Sequence, residues 1–237
     1  MEKTVESGIS SAIGKLFRDN FGKGPEAIFV SIAKPYITIY LRNFLAPMEK
    51  ILLKQENELK FQETRDLLMK ELTPEIQSII SSQAGVQVDK IYYDWSTENR
   101  NGVLFAELDS NLDETTGDYL SYPAKKQVHA EISRFTQKAQ KSPKKLTSCM
   151  LNSRTLVSRR EDIFVLIEQE LISSGFENQL RLSKRKLEKS LIDKKFLESV
   201  LHQEIQDVFV DWDFENDTGF VIFILKPKNN MVEMSRQ

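Results

Sequence analysis

Asp94-Trp95-Ser96-Thr97-Glu98-Asn99-Arg100-Asn101-Gly102 returns 117 residues later as Asp211-Trp212-Asp213-Phe214-Glu215-Asn216-Asp217-Thr218-Gly219. Asp, Trp, Glu, Asn and Gly coincide, and the chain holds 2 tryptophans in all. The flanks agree in character: Ile91-Tyr92-Tyr93 against Val208-Phe209-Val210, then Val103-Leu104-Phe105 against Phe220-Val221-Ile222. Apolar runs around an Asn/Asp/Gly cluster read as two strands joined by a tight turn. A hairpin that occurs twice at this distance points to a duplicated unit. A period near 117 is too long for a solenoid repeat, so each copy is expected to be a small domain.

The relation extends upstream with shifts of register. Lys23-Gly24-Pro25 meets Lys141-Ser142-Pro143, and Phe17 meets Phe135, both at an offset of 118. Arg65 and Leu67 meet Arg185 and Leu187 at 120. Changing offsets imply short insertions in loops. The chain is thus divided into copy one (1–109), an acidic linker (110–122), a diverged copy two (123–227) and a polar tail (228–237). The linker carries Asp113, Glu114 and Asp118 with no basic residue.

Within copy one, Ile13, Leu16, Phe17 and Phe21 recur at helical spacing over 10–21, and Gly22-Lys23-Gly24-Pro25 ends that helix. Strands are expected at 26–33 and 36–42, with strict alternation on both. A helix follows Pro47, and a longer one carries Leu68, Leu72, Ile76, Ile79 and Ile80. Pro74 interrupts that pattern, so a kink or break is expected there. Strands at 88–97 and 102–109 complete an α-β-β-α-α-β-β unit. Copy two is expected to repeat it, with a helix at 124–140, strands near 145–151 and 154–159, helices near 161–173 and 177–202, and strands at 205–214 and 219–226. The fold class is therefore α+β: two tandem copies, each a four-stranded, mainly antiparallel sheet with helices on one face. Phe220–Leu225 is apolar on both faces. Its second face must be covered as well, so the copies are expected to pack together as a pseudo-dimer within one chain.

The net charge of −2 divides unevenly. Residues 1–120 hold 13 Lys+Arg and 19 Asp+Glu, whereas residues 121–237 hold 20 and 16. Two stretches concentrate the basic excess: Lys125 to Lys145, and Arg181 to Lys195. Solvated helix faces are the expected reading, and electrostatic binding of nucleic acid or anionic lipid is the alternative. Nucleic acid is not the favoured partner, because the whole chain is slightly acidic. The single cysteine, Cys149, excludes a disulfide framework or an all-cysteine metal cage within one chain. No apolar run approaches the ~20 residues needed to span a bilayer. The first eight residues lack the basic start and apolar stretch of a secretory signal, and a cytoplasmic location is expected.

No catalytic motif survives inspection, and no metal or cofactor is expected. Gly8 to Gly14-Lys15 has one residue too many for a phosphate loop, and Leu16 stands where the magnesium-binding hydroxyl belongs. The acidic run from Asp211 has Ile222 at the twelfth position of a calcium loop and Asn216 at the glycine position. Asp94 and Asp211 are expected to be solvated or to stabilise a turn. His129 and His202 have no partner at ligand spacing. Cys149 is expected to pack as a small apolar group. Gly22, Lys23, Gly24 and Pro25 offer backbone N–H groups beside a lysine, a candidate anion nest, with a helix C-cap as the alternative reading. Tyr36, Thr38 and Tyr40 form a candidate platform on the second sheet face, unless the other copy covers them. Asp94, Trp95, Gly102, Asp211, Trp212 and Gly219 are the structural signature of the repeat.

Copy one resembles the bacterial MpsC-like family, named for a sodium-translocating, membrane-potential-generating system. The resemblance rests on Gly22-Lys23-Gly24-Pro25, Leu41-Arg42, Leu45-Ala46-Pro47-Met48-Glu49, Arg65 and Asp94-Trp95-Ser96-Thr97, and covers about residues 5–109. Copy two keeps Lys141, Pro143, Arg185 and the Asp211-Trp212 hairpin. It has Gln140 and Ser142 for the glycines, and lacks the Leu-x-x-x-Glu after its second strand. The resemblance implies an accessory or regulatory protein associated with membrane ion or bicarbonate uptake; with the duplication and the lack of a catalytic motif, the expectation is a non-enzymatic protein whose partner is a protein such as a membrane transporter. An alternative expectation is a small-anion or nucleotide sensor using Lys23, Arg42 and Arg65. With Glu49, Tyr36 and Tyr40 these residues make up the candidate binding set.

Overall fold

A computed structural model describes residues 4–55, 57–108 and 122–228. Most of the expected linker and tail lie outside these residues. Helix α1 (Val5–Phe21) begins where the Thr4 side chain accepts the Ser7 N–H at 3.2 Å, and ends where Gly22 turns left-handed at φ 71°. Its stripe of Ile9, Ile13, Leu16, Phe17 and Phe21 is buried. Then follow β1 (Ala27–Ala33), β2 (Tyr36–Arg42), α2 (Pro47–Lys54), α3 (Glu58–Ala84), β3 (Val88–Ser96) and β4 (Asn101–Leu108). The strands form an antiparallel sheet in the order β1-β2-β4-β3.

Copy two runs α4 (Lys125–Ala139), β5 (Lys145–Asn152), β6 (Thr155–Glu161), α5 (Leu166–Ser173), α6 (Glu177–Leu191), α7 (Lys194–Leu201), β7 (Ile205–Asp213) and β8 (Thr218–Leu225). Its sheet has the matching order β5-β6-β8-β7. Two boundaries differ from expectation. Glu161 ends a strand and the helix expected from 161 starts at Leu166, while the helix expected over 177–202 is two helices. Conversely, α3 runs unbroken through Pro74.

The period of two along each central strand sorts the side chains into separate layers. Ile37, Ile39 and Leu41 of β2, with Leu104, Ala106 and Leu108 of β4, face the helices of copy one. Val221, Phe223 and Leu225 of β8 face those of copy two. The alternate residues Tyr36, Tyr40, Tyr92, Val103, Phe105, Leu151, Val157, Phe209, Phe220, Ile222 and Ile224 form a third core between the sheets. The order of layers is helices, sheet, sheet, helices, and it accounts for the strand that is apolar on both faces.

Edge strands β3 and β7 lie against each other across the seam between the copies. Asp94 Oδ2 accepts the Val210 N–H and Asp211 Oδ2 accepts the Tyr93 N–H, both at 2.8 Å. Each carboxylate also accepts the N–H of the tryptophan that follows it. The two aspartates are therefore buried inter-copy bridges, in place of the solvated or turn-forming groups expected. The Trp–Gly pairing also has a packing cause. Gly102 faces Trp95 across the β3–β4 ladder, where a Cβ would collide with the indole, and Gly219 faces Trp212, where a Cβ would meet Ile163 and Arg160 as well as the indole.

Candidate functional site

Glu49 and Arg65 meet inside copy one, with Arg65 1% exposed. Ala46, at the start of α2, has no side-chain acceptor, so Glu49 reaches back to its N–H at 2.7 Å. Arg65 Nε and Nη2 then grip both Glu49 oxygens at 2.6 and 2.7 Å, and Nη2 also reaches the Phe44 carbonyl at 2.8 Å. The rings of Phe44, Phe61 and Trp95 lie 4.2–4.7 Å from the guanidinium carbon. This is a buried, bidentate and aromatic-enclosed ion pair that locks α2 to α3. It leaves no cation for an incoming anion.

Copy two repeats that device with different residues. Glu168 reaches back to the Val165 N–H at 3.0 Å and pairs with Lys184, whose Nζ lies 5.0 Å from the centre of the Phe164 ring and 5.2 Å from that of Trp212. The glutamate is therefore kept after the second strand of copy two, with Phe164 in place of the leucine of the pattern. Arg65 corresponds to Lys184 and Asp66 to Arg185, an offset of 119 that corrects the Arg65–Arg185 match. Gln140, which replaces the turn glycine, bonds Glu188 at 2.6 Å and also binds Lys184. Burial pulls the Lys184 pKa below its ordinary value, opposed by Glu188 and Glu168.

The anion set of Lys23, Arg42 and Arg65 does not gather. Gly22 serves as the helix C-cap, Gly24 and Pro25 lead into β1, and Arg42 pairs with Glu26 at 2.9 Å on the surface. Tyr36 and Tyr40 lie in the inter-sheet core. Burial, then Glu107, pushes the Tyr36 phenol up to about 12. Tyr40 donates to Asp207 of copy two at 2.7 Å, and Asn101 and Asn99 donate to the same carboxylate at 2.8 Å. Burial and that bond raise the Tyr40 pKa strongly. The platform is thus covered by the other copy.

The seam also recruits three of the seven cations of the second basic stretch. Arg181 binds Asp211, Lys189 binds Asp94 at 2.6 Å, and Arg185 binds both oxygens of Asp66 at 2.8 and 3.0 Å and the Tyr93 carbonyl at 2.8 Å. Lys186, Lys194 and Lys195 stay exposed. The face expected to be solvated is partly an internal set of ion pairs. Sequence reasoning missed Asp66, Lys90 and Asp207, which contact the other copy.

A cleft of about 620 Å³ opens where the copies meet. Asn57, Glu58 and Glu98 line it from copy one, and Lys186, Lys189 and Lys194 from copy two. Elsewhere, Ser148 Oγ lies 2.6 Å from His129 Nε2 and 2.7 Å from the Tyr122 hydroxyl, a Ser–His contact in which Ser148 is a buried residue of β5. Burial, then Lys125, lowers the His129 pKa. Among the described residues no group of three or more His, Cys, Asp or Glu is placed to hold a metal ion.

The outer faces of two corresponding helices carry large apolar side chains. On α2, Met48 and Ile51 are 75% and 58% exposed, and on α5, Leu166 and Ile167 are 82% and 64% exposed. Scattered surface apolar residues are ordinary, but paired ones on equivalent short helices make two candidate contact patches. Among the described residues no helix is long and apolar enough to cross a membrane. A family model described as "Na+-translocating membrane potential-generating system (MpsC)" matches residues 1–110 and again 124–227. No curated protein and no solved structure matches the chain.

Proposed function

The chain belongs to the MpsC family, whose model it matches twice, and on that premise we propose that it is a non-enzymatic, cytoplasmic accessory or regulatory protein of a membrane sodium or bicarbonate uptake system. It acts by docking on a protein component of that system. The observation that carries this reading is the pair of apolar patches on α2 and α5. They offer Met48 and Ile51 from one copy and Leu166 and Ile167 from the other. Burying one such side chain at an interface contributes about 1.5–3 kcal/mol, which offsets part of the cost of bringing two proteins together. The buried cations are committed to carboxylates of this chain. Arg65 and Lys184 hold the capping glutamates, and the seam cations hold aspartates.

The test is capture from detergent-solubilised membranes of cells that carry the system. The native chain is expected to retain one of its membrane subunits. Met48→Asp combined with Ile167→Asp is expected to keep the native thermal midpoint, because both side chains are exposed, and to lose that subunit. A native chain that retains no subunit, or a variant that retains it equally, overturns the reading.

A further inference from the structure

Asp66 and Arg185 hold the same position in the two copies, 119 residues apart, as the flanking Arg65/Lys184 and the capping Glu49/Glu168 establish. In the fold these two residues meet. Arg185 Nη1 donates to both Asp66 oxygens, and the side chains are 1% and 10% exposed. A residue that touches its own counterpart lies close to the pseudo-twofold axis relating the copies. In a pair of identical copies, that position would face itself. Two aspartates or two arginines there would put like charges in a site with little water, whereas one of each bonds.

We propose that this exchange of charge makes the seam heterotypic, so that each copy's seam face accepts the other copy and rejects a second copy of itself. The surrounding groups point the same way. The cluster balances three carboxylates, Asp66, Asp94 and Asp211, against three cations, Arg181, Arg185 and Lys189. All three cations come from α6, and copy one has Gln62, Asp66 and Lys70 at the corresponding places on α3. Around the Asp66 position, two copy-one faces would bring together two Asp66 and two Asp94, and the exposed Lys70 residues would be the cations that α3 supplies there. Around the Arg185 position, two copy-two faces would set the six cations of two α6 helices against two Asp211. The bridges from Asp94 and Asp211 to backbone N–H groups would survive in either like pair, because both copies carry the aspartate. The aspartates therefore set the register of the seam, and the residues at 66 and 185 choose the partner. Two chains that associate through this surface would seat copy one of each on copy two of the other.

The inference is independent of what the protein docks on, and its test needs no outside partner. A protease site is placed within residues 109–121 of the whole chain, and the folded protein is cut there. Light and isotopically heavy cut proteins are mixed, carried through denaturant, refolded and weighed by native mass spectrometry. Every complex is expected to hold one piece of each kind, with light and heavy pieces shuffled. Complexes of two like pieces, or folded pieces left single, overturn the proposal. A second measurement uses the uncut chain. Arg181→Gln with Arg185→Asp gives α6 the residues that α3 carries at the corresponding positions, and is expected to lower the thermal midpoint by roughly 10 °C. Lys186→Asp with Lys195→Gln makes the same change of charge on exposed positions, and is expected to leave the midpoint within about 2 °C. An equal fall in both variants, or none in the first, overturns it.

Discussion

Cys149 shows how position decides the chemistry of a single residue. It lies on β5 beside the inter-sheet core, and burial pushes its thiol up to about 11, opposed by Lys125. At pH 8 the thiolate is then on the order of one part in a thousand of the folded protein. Iodoacetamide is therefore expected to alkylate Cys149 at pH 8 at least tenfold more slowly in the folded chain than in urea, as read by mass spectrometry. Equal rates would restore a reactive-thiol role. Arg65 makes a related point. Its motif could be read in the sequence as a resemblance, but its work could not, since nothing in the spacing of Glu49 and Arg65 reveals the rings of Phe44, Phe61 and Trp95 around the guanidinium. The same blindness hid Lys184, because a lysine within a basic run gives no sign that it points inward.

Proline in α3 and its absence from α6 would predict the opposite of what the helices do. Thr73 bonds back to the Met69 carbonyl at 2.7 Å, and Pro74 sits on an exposed turn where the helix continues. The buried stripe of Phe61, Met69, Leu72, Ile76 and Ile80 spans the proline and holds both ends to one core. Pro74→Ala is accordingly expected to raise stability by about 1–2 kcal/mol in a denaturant titration, the regained helix bond outweighing the freer unfolded chain. Between α6 and α7 the break is fixed from outside. Arg134 of α4 takes the Leu191 carbonyl at 2.7 Å, Glu131 takes the Asp193 N–H at 2.8 Å, and Asp193 caps Phe196 at 3.0 Å. Strands and hairpins were legible because alternation and turn residues are local. This break was not, because two of its three supports come from a helix about sixty residues away in sequence.

The two copies are also tied by Lys90, which reaches Asp213 at 2.9 Å and Glu215 at 3.0 Å on the other side of the seam. Burial works against both charges of the Lys90–Asp213 pair, but their mutual bond prevails: Lys90 is raised above 10.5 and Asp213 is lowered below 3.8. The lysine's contribution is complete below 10.5 and fades as pH climbs through its raised value. The aspartate's is complete above 3.8 and is lost as pH falls through its lowered value. Lys90→Met is expected to cost about 1 kcal/mol at pH 7. Its penalty should shrink toward both extremes of pH in calorimetric scans, and a penalty that stays constant with pH would discount the pair. The packing of one copy on the other was readable from Phe220–Leu225, which had no polar face to offer water. Which acids and bases meet there was not, since that depends on how two separate folds are oriented. Finally, the crossed bridges from Asp94 and Asp211 have a consequence for self-association beyond the chain. The rims of β3 and β7 are where a foreign strand would otherwise attach and begin a fibre. With Tyr93 and Val210 already occupied by carboxylates from the opposite rim, that route to polymerisation is closed for as long as the copies stay together.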